Sequence, residues 1–150
     1  MFYCPTLTVI DGYGKLPMAA RTGNAPALDD PLGAVDSLTR TRVALTGEEA
    51  RRVLGPNAQL RDSLYDARRK RMAENLIIAR RSGITVVTGT DAGNPLTLHG
   101  PAIFGEMEAM QRAGMKPSEV LQATTRDAAR ALGRTGCGST SSLKYGASLR

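Results

Sequence analysis

The stretch Ile84–Gly100, "ITVVTGTDAGNPLTLHG", decides how the rest of the chain is read. Its first half, Ile84 to Thr90, is a β-branched apolar run with little alternation, which predicts a short strand buried on both faces. The run stops at Asp91. Gly93, Asn94 and Pro95 then turn the chain before His99, the single histidine of the sequence. A carboxylate that emerges from a buried strand is costly unless it meets a cation or hydrogen-bond donors. In parallel α/β proteins, ligands gather beyond the carboxyl ends of the strands. Asp91 therefore stands where a site is expected; the alternative is an aspartate that caps the loop or the following helix.

Working outward, the text on both sides is helical. Upstream, Leu60 to Ser82 carries an apolar stripe of Leu60, Leu64, Ala67, Ala73, Leu76 and Ile77, and Gly83 follows where a left-handed terminal residue is wanted. Downstream, a helix is expected from about Pro101 to Ala113, ending at Gly114. A second starts in "KPSEVLQATT", with Pro117 at its first position and Glu119 in its first turn. A third, "TRDAARALG", takes Thr125 as its cap and Gly133 as its stop. Glu106 and Glu108 read as ordinary polar positions near a helix N-terminus, where the dipole favours acidic groups.

Further upstream, Phe2–Ile10 reads as the other strand, bulged or at an edge because of Pro5, and Asp11–Gly33 as a long loop. "TGEEARRVLGP" predicts a short helix capped by Thr46 and Glu49 and closed at Gly55-Pro56. Helix, glycine, buried strand, loop, helix is α/β grammar with parallel strands. Two strands neither close a barrel nor make a comfortable sheet, so residues 1–133 are expected to be part of a larger fold. Residues 134–150, polar and rich in Gly and Ser, are expected to form a disordered or aberrant tail.

Composition narrows the function classes. The 150 residues are 41% hydrophobic and 23% charged, as in a soluble globular protein. No run approaches the roughly 20 apolar residues of a membrane span, and the N-terminus lacks the basic start of a secretory signal. Cys4 and Cys137 are too few for a disulfide framework, so free thiols and a cytoplasmic location are expected. The net charge of +6 is concentrated in "DARRKRMAENLIIARR", Asp66–Arg81. Acidic residues are interleaved there and no aromatic platform accompanies them, which favours a solvated helix face over a nucleic-acid surface.

The residues Gly83 to Gly133 resemble the C-terminal part of the metal-dependent amidohydrolase superfamily, close to its imidazolonepropionase-like branch. The resemblance is carried by the strand ending in G-T-D-A-G, the His99-Gly100 pair, and the Glu106-x-Glu108 step. The A-G-M-x-P-x-E-x-L-x-A-T-T segment from Ala113 to Thr125 and the closing A-A-x-x-L-G also match. "PTLTV", Pro5 to Val9, is similar to the family's preceding barrel strand. The resemblance implies a partial (β/α)8 (TIM) barrel: its last two βα units plus C-terminal helices. It also implies a hydrolase acting on C–N bonds of a small-molecule amide, cyclic amide or dipeptide. Asp91 is then the catalytic residue that contacts a divalent metal, commonly zinc, and carries a proton from water to the leaving amine. His99 takes a substrate-orienting role, or fixes the path of its loop.

The family's other metal ligands include several histidines, and this chain has one His. A catalytic zinc normally needs three protein ligands, so the metal is expected in a full barrel and none is expected on this chain alone. The tail departs from the family's G-S-I-x-x-G-K-x-A-D-L: Leu143 stands where a glycine belongs, and no aspartate follows Lys144. A barrel segment leaves strand edges open, so self-association through them is expected. The competing readings are a non-catalytic interaction module and, less favoured, a basic nucleic-acid-binding protein.

Overall fold

The apolar runs on either side of the long helix meet as parallel strands. In a computed structural model, which describes residues 1–22, 52 and 58–134, β1 (Phe2–Tyr3) lies beside β2 (Thr85–Val86). Phe2 is opposite Thr85 and Tyr3 opposite Val86, and the Val87 N–H donates to the Tyr3 carbonyl at 2.9 Å. Helices supply the rest: α1 (Leu7–Thr22), α2 (Ala58–Arg81), α3 (Ala102–Arg112), α4 (Pro117–Thr124) and α5 (Arg126–Ala131). The core forms where α2, β2, α3 and α4 converge, around Leu76, Val86, Met110, Val120 and Ala123.

Local signals placed the C-terminal elements well. α2 ends at Arg81, and Gly83 turns left-handed with φ 74°. Gly114 and Gly133 do the same after α3 and α5. Pro117 opens α4, where the Glu119 carboxylate accepts the Lys116 N–H at 2.8 Å. The paired strand is shorter than expected from Ile84–Thr90, because among the described residues only Thr85 and Val86 have a strand partner. Thr125 does not cap α5 with its side chain; its hydroxyl donates back to the Leu121 carbonyl at 2.7 Å.

The N-terminal reading is corrected. Phe2–Ile10 is not one strand, and Asp11 to Thr22 is not loop: β1 stops at Tyr3 and α1 starts at Leu7. Gly12, Gly14 and Pro17 argue locally against a helix, yet the glycines admit close neighbours to α1. A side chain on Gly12 would come within 2.6 Å of the Pro95 carbonyl, and one on Gly14 within 2.6 Å of Arg69 Nη2. Tertiary contact overrides propensity here. The apolar stripe of α2 is also shifted: Leu64 and Ala67 are exposed, while Tyr65 is buried and stacks on Tyr13 of α1 at 6.4 Å.

Of the basic cluster, Arg68, Lys70 and Arg71 face solvent. Arg69 turns inward to Asp11 at 2.6 Å, and Asp11 also meets Arg112 at 3.3 Å. Apart from Arg52, which is helical, the helix expected around Thr46 and Glu49 lies outside the described residues, as does the tail beyond Arg134. No helix among the described residues is long and apolar enough to cross a membrane.

Candidate functional site

Beyond the carboxyl end of β2 the chain passes buried Val87, then Thr88, Gly89 and Thr90, before it reaches Asp91. Thr88 anchors this exit to α4: its N–H donates to the Ala123 carbonyl at 3.2 Å, and its hydroxyl lies 2.8 Å from that of Thr124. Gly89 passes directly over Cys4, at the end of β1, where a Cβ would come 2.5 Å from the Sγ. The two parallel strands thus deliver Cys4 and Asp91 to the same rim. Partial desolvation pushes the Cys4 thiol up, and the charges of Glu106 and, more weakly, Asp91 add to this against a lowering backbone hydrogen bond at Thr6. A thiol held protonated is a poor nucleophile and a poor metal ligand.

Asp91 is exposed and sits in the left-handed region with φ 49°, a conformation that aspartate tolerates better than most residues. The turn that follows is closed by its own hydrogen bonds. The Gly93 N–H donates to the Thr97 carbonyl at 3.1 Å, and the Thr97 N–H to the Asn94 carbonyl at 2.9 Å. The Asn94 side-chain amide donates to the Asp91 carbonyl at 2.9 Å, while Asn94 Oδ1 accepts from the Tyr13 hydroxyl at 3.1 Å. Leu96, also left-handed at φ 58°, is buried beneath the turn. His99 overlies the same turn, since a side chain on Gly93 would come 3.7 Å from His99 Nε2. It is exposed, and no hydrogen bond or ion pair joins it to Asp91 among the described residues.

The turn is seated on α1, and α1 is seated on Glu106. That carboxylate is fully buried and accepts from the Leu7 N–H at 2.9 Å, the Thr8 N–H at 2.7 Å and the Thr8 hydroxyl at 3.0 Å. It therefore caps the first turn of α1 from α3, where a negative charge is also favoured by the helix dipole. Burial pushes the Glu106 carboxyl up, and its three hydrogen bonds only partly oppose this. The reading of Glu106 as an ordinary polar position is thus overturned, whereas Glu108 is exposed and pairs with Arg112 at 3.7 Å. Nothing local distinguishes the two glutamates. The partner of Glu106 lies 99 residues away in sequence.

As for a metal, no three His, Cys, Asp or Glu side chains gather to hold one among the described residues. Asp91 supplies one carboxylate, and His99 is not joined to it. The described residues therefore do not fit a catalytic metal centre, which ordinarily takes three protein ligands.

The model of the amidohydrolase family matches residues 35–140, more than half of the chain. Similar curated proteins include one of Mycobacterium bovis and those of two Mycobacterium tuberculosis strains, all described as uncharacterized. Each is 48% identical over 58 residues, which are 39% of this chain and 15% of the relative. The matched stretch thus spans less than a fifth of the length of those relatives. No solved structure matches.

Proposed function

The chain belongs to the amidohydrolase family, and on that premise we propose that it carries the closing βα segment of a (β/α)8 hydrolase that cleaves C–N bonds in the manner of the imidazolonepropionase-like branch. One observation supports this above the others: Asp91 stands exposed beyond the carboxyl end of a parallel strand, on a turn that fixes its backbone. Its substrate is a small amide, cyclic amide or dipeptide.

In this reading the Asp91 carboxylate takes a proton from the attacking water and returns it to the leaving nitrogen, the general acid–base role open to a carboxylate within reach of both. Solvent access at Asp91 suits that exchange. His99, over the neighbouring Gly93, orients the substrate from the side of the loop. Family members generally bind divalent metals, zinc being our specific expectation. The described residues bring together no set of three donors, so no step is derived through a metal.

The test is Asp91→Asn in the longer protein whose barrel this segment closes, assayed on a panel of cyclic amides and dipeptides. Turnover is expected to fall by at least a hundredfold, within the range attributed to general acid–base groups of about 10²–10⁴, with an unchanged circular dichroism spectrum. Retained turnover overturns the assignment. Absence of turnover in the parent protein itself would favour the non-catalytic interaction module instead.

A further inference from the structure

Asp91 is held by more than its place at the end of a strand. We propose that Asn94 and Tyr13 are positioning residues for Asp91, acting through a hydrogen-bonded chain from the surface of α1 to the Asp91 backbone; this rests on the reading of Asp91 as the proton carrier.

Asn94 occupies the middle of the chain and uses both ends of its amide. Its nitrogen donates to the Asp91 carbonyl at 2.9 Å and its oxygen accepts from the Tyr13 hydroxyl at 3.1 Å. An aspartate in this place would keep the acceptor for Tyr13 and lose the donor to Asp91; an alanine would lose both. Tyr13 is itself immobilised by stacking on buried Tyr65, with ring planes 12° apart. One residue before it, Gly12 lets the loop settle directly onto α1, against Pro95 and the buried Thr97. Because Glu106 fixes the start of α1, the carbonyl of Asp91 is referenced to the core through α1, rather than through β2 alone.

The consequence concerns backbone geometry. At φ 49° the Asp91 carboxylate points where an extended residue would not send it. A left-handed residue other than glycine is disfavoured, aspartate less than most, so it persists where the surroundings hold it. Asn94 supplies a bond to the peptide that follows the strained torsion. Released from it, the Asp91 backbone relaxes toward the extended region and the carboxylate leaves its working position without the fold being lost.

Two measurements test this. In the 150-residue chain, amide hydrogen exchange at Gly93 and Thr97 is expected to quicken about tenfold or more in Asn94→Ala and Asn94→Asp, and less in Tyr13→Phe, while the amides of α3 keep their rates. Unchanged exchange in the loop overturns the tether. In the longer hydrolase, Asn94→Ala and Asn94→Asp are each expected to lower kcat about ten- to hundredfold, the scale of a small misplacement of a reacting group, with KM little changed. A rise in KM at constant kcat would assign Asn94 to substrate binding and overturn positioning. If Asp91→Asn leaves turnover intact, the proton-carrier reading fails and takes the catalytic role of Asn94 with it, even where the exchange result upholds the tether. If Asp91→Asn abolishes turnover and the Asn94 variants do not reduce kcat, the positioning role alone is wrong.

Discussion

Glu106 joins α3 to the first turn of α1 through three hydrogen bonds, and its chemistry gives a two-sided prediction. Glu106→Ala strands two backbone donors in the interior, at about 1–3 kcal/mol each. The urea midpoint should shift by an amount equivalent to about 2–6 kcal/mol, with α1 losing its exchange protection first. Glu106→Gln keeps one acceptor oxygen and sets an amide against a donor, so an intermediate loss is expected. The pH dependence follows from the raised carboxyl. A folded-state pKa above the unfolded one means that the folded chain binds the proton more tightly. The contribution is complete below the ordinary glutamate value of about 4.3 and is lost as pH rises through the folded value. Unfolding free energies measured across that window should decline in the wild type and lack this component in Glu106→Gln. The exposed place of Asp91 beyond β2 was legible because an apolar run, glycines and loop are adjacent in sequence. Glu106 was not, since its acceptor role exists only once α1 and α3 meet.

Among the elements, the contrast between two glycines separates close packing from backbone strain. Gly83 turns left-handed into open space, so Gly83→Ala should cost only the left-handed penalty of about 1–2 kcal/mol. Gly12 is crowded instead: a Cβ would stand 2.6 Å from the Pro95 carbonyl and 2.8 Å from Thr97 Oγ1. Gly12→Ala should therefore lift the 91–97 turn off α1, and exchange at Gly93 will distinguish the two variants. The Arg80–Glu119 pair, which ties α2 to α4, behaves oppositely to Glu106 with pH. The Lys116 N–H first, and Arg80 next, hold the Glu119 carboxyl below its usual value. That contribution is present above the ordinary glutamate value and fades as pH falls through the depressed one, and Arg80→Ala should diminish the fade. The ends of α2 to α5 could be read from Pro117 and from Gly83, Gly114 and Gly133, because these conformational preferences are local. α1 could not, since its glycines argue against a helix until the surfaces they admit are in place.

For the molecule as a whole, β2 pairs with β1 alone among the described residues. Phe2, Ile78 and Phe104 are about half exposed or more. Unpartnered strand edges and apolar surface of this kind favour association. We expect the purified chain to increase in apparent mass with concentration in light scattering; a monomer across the range with one sharp melting transition would argue against it. Zinc offered to the same chain should bind at less than one tight equivalent, and a stoichiometric zinc lost in Asp91→Asn would overturn that expectation. The amino-acid sequence by itself determined the α/β order of the elements, the helix ends at Gly83, Gly114 and Gly133, and the family resemblance. Each of these rests on residue types and spacings read along the chain. Only the tertiary structure decided that Glu106 caps α1, that α1 is a helix, and that Tyr13 and Asn94 fasten the Asp91 turn. The bonds from Tyr13 to Asn94 and from the start of α1 to Glu106 join groups 81 to 99 residues apart, and no local pattern encodes which distant donor a buried acceptor will meet.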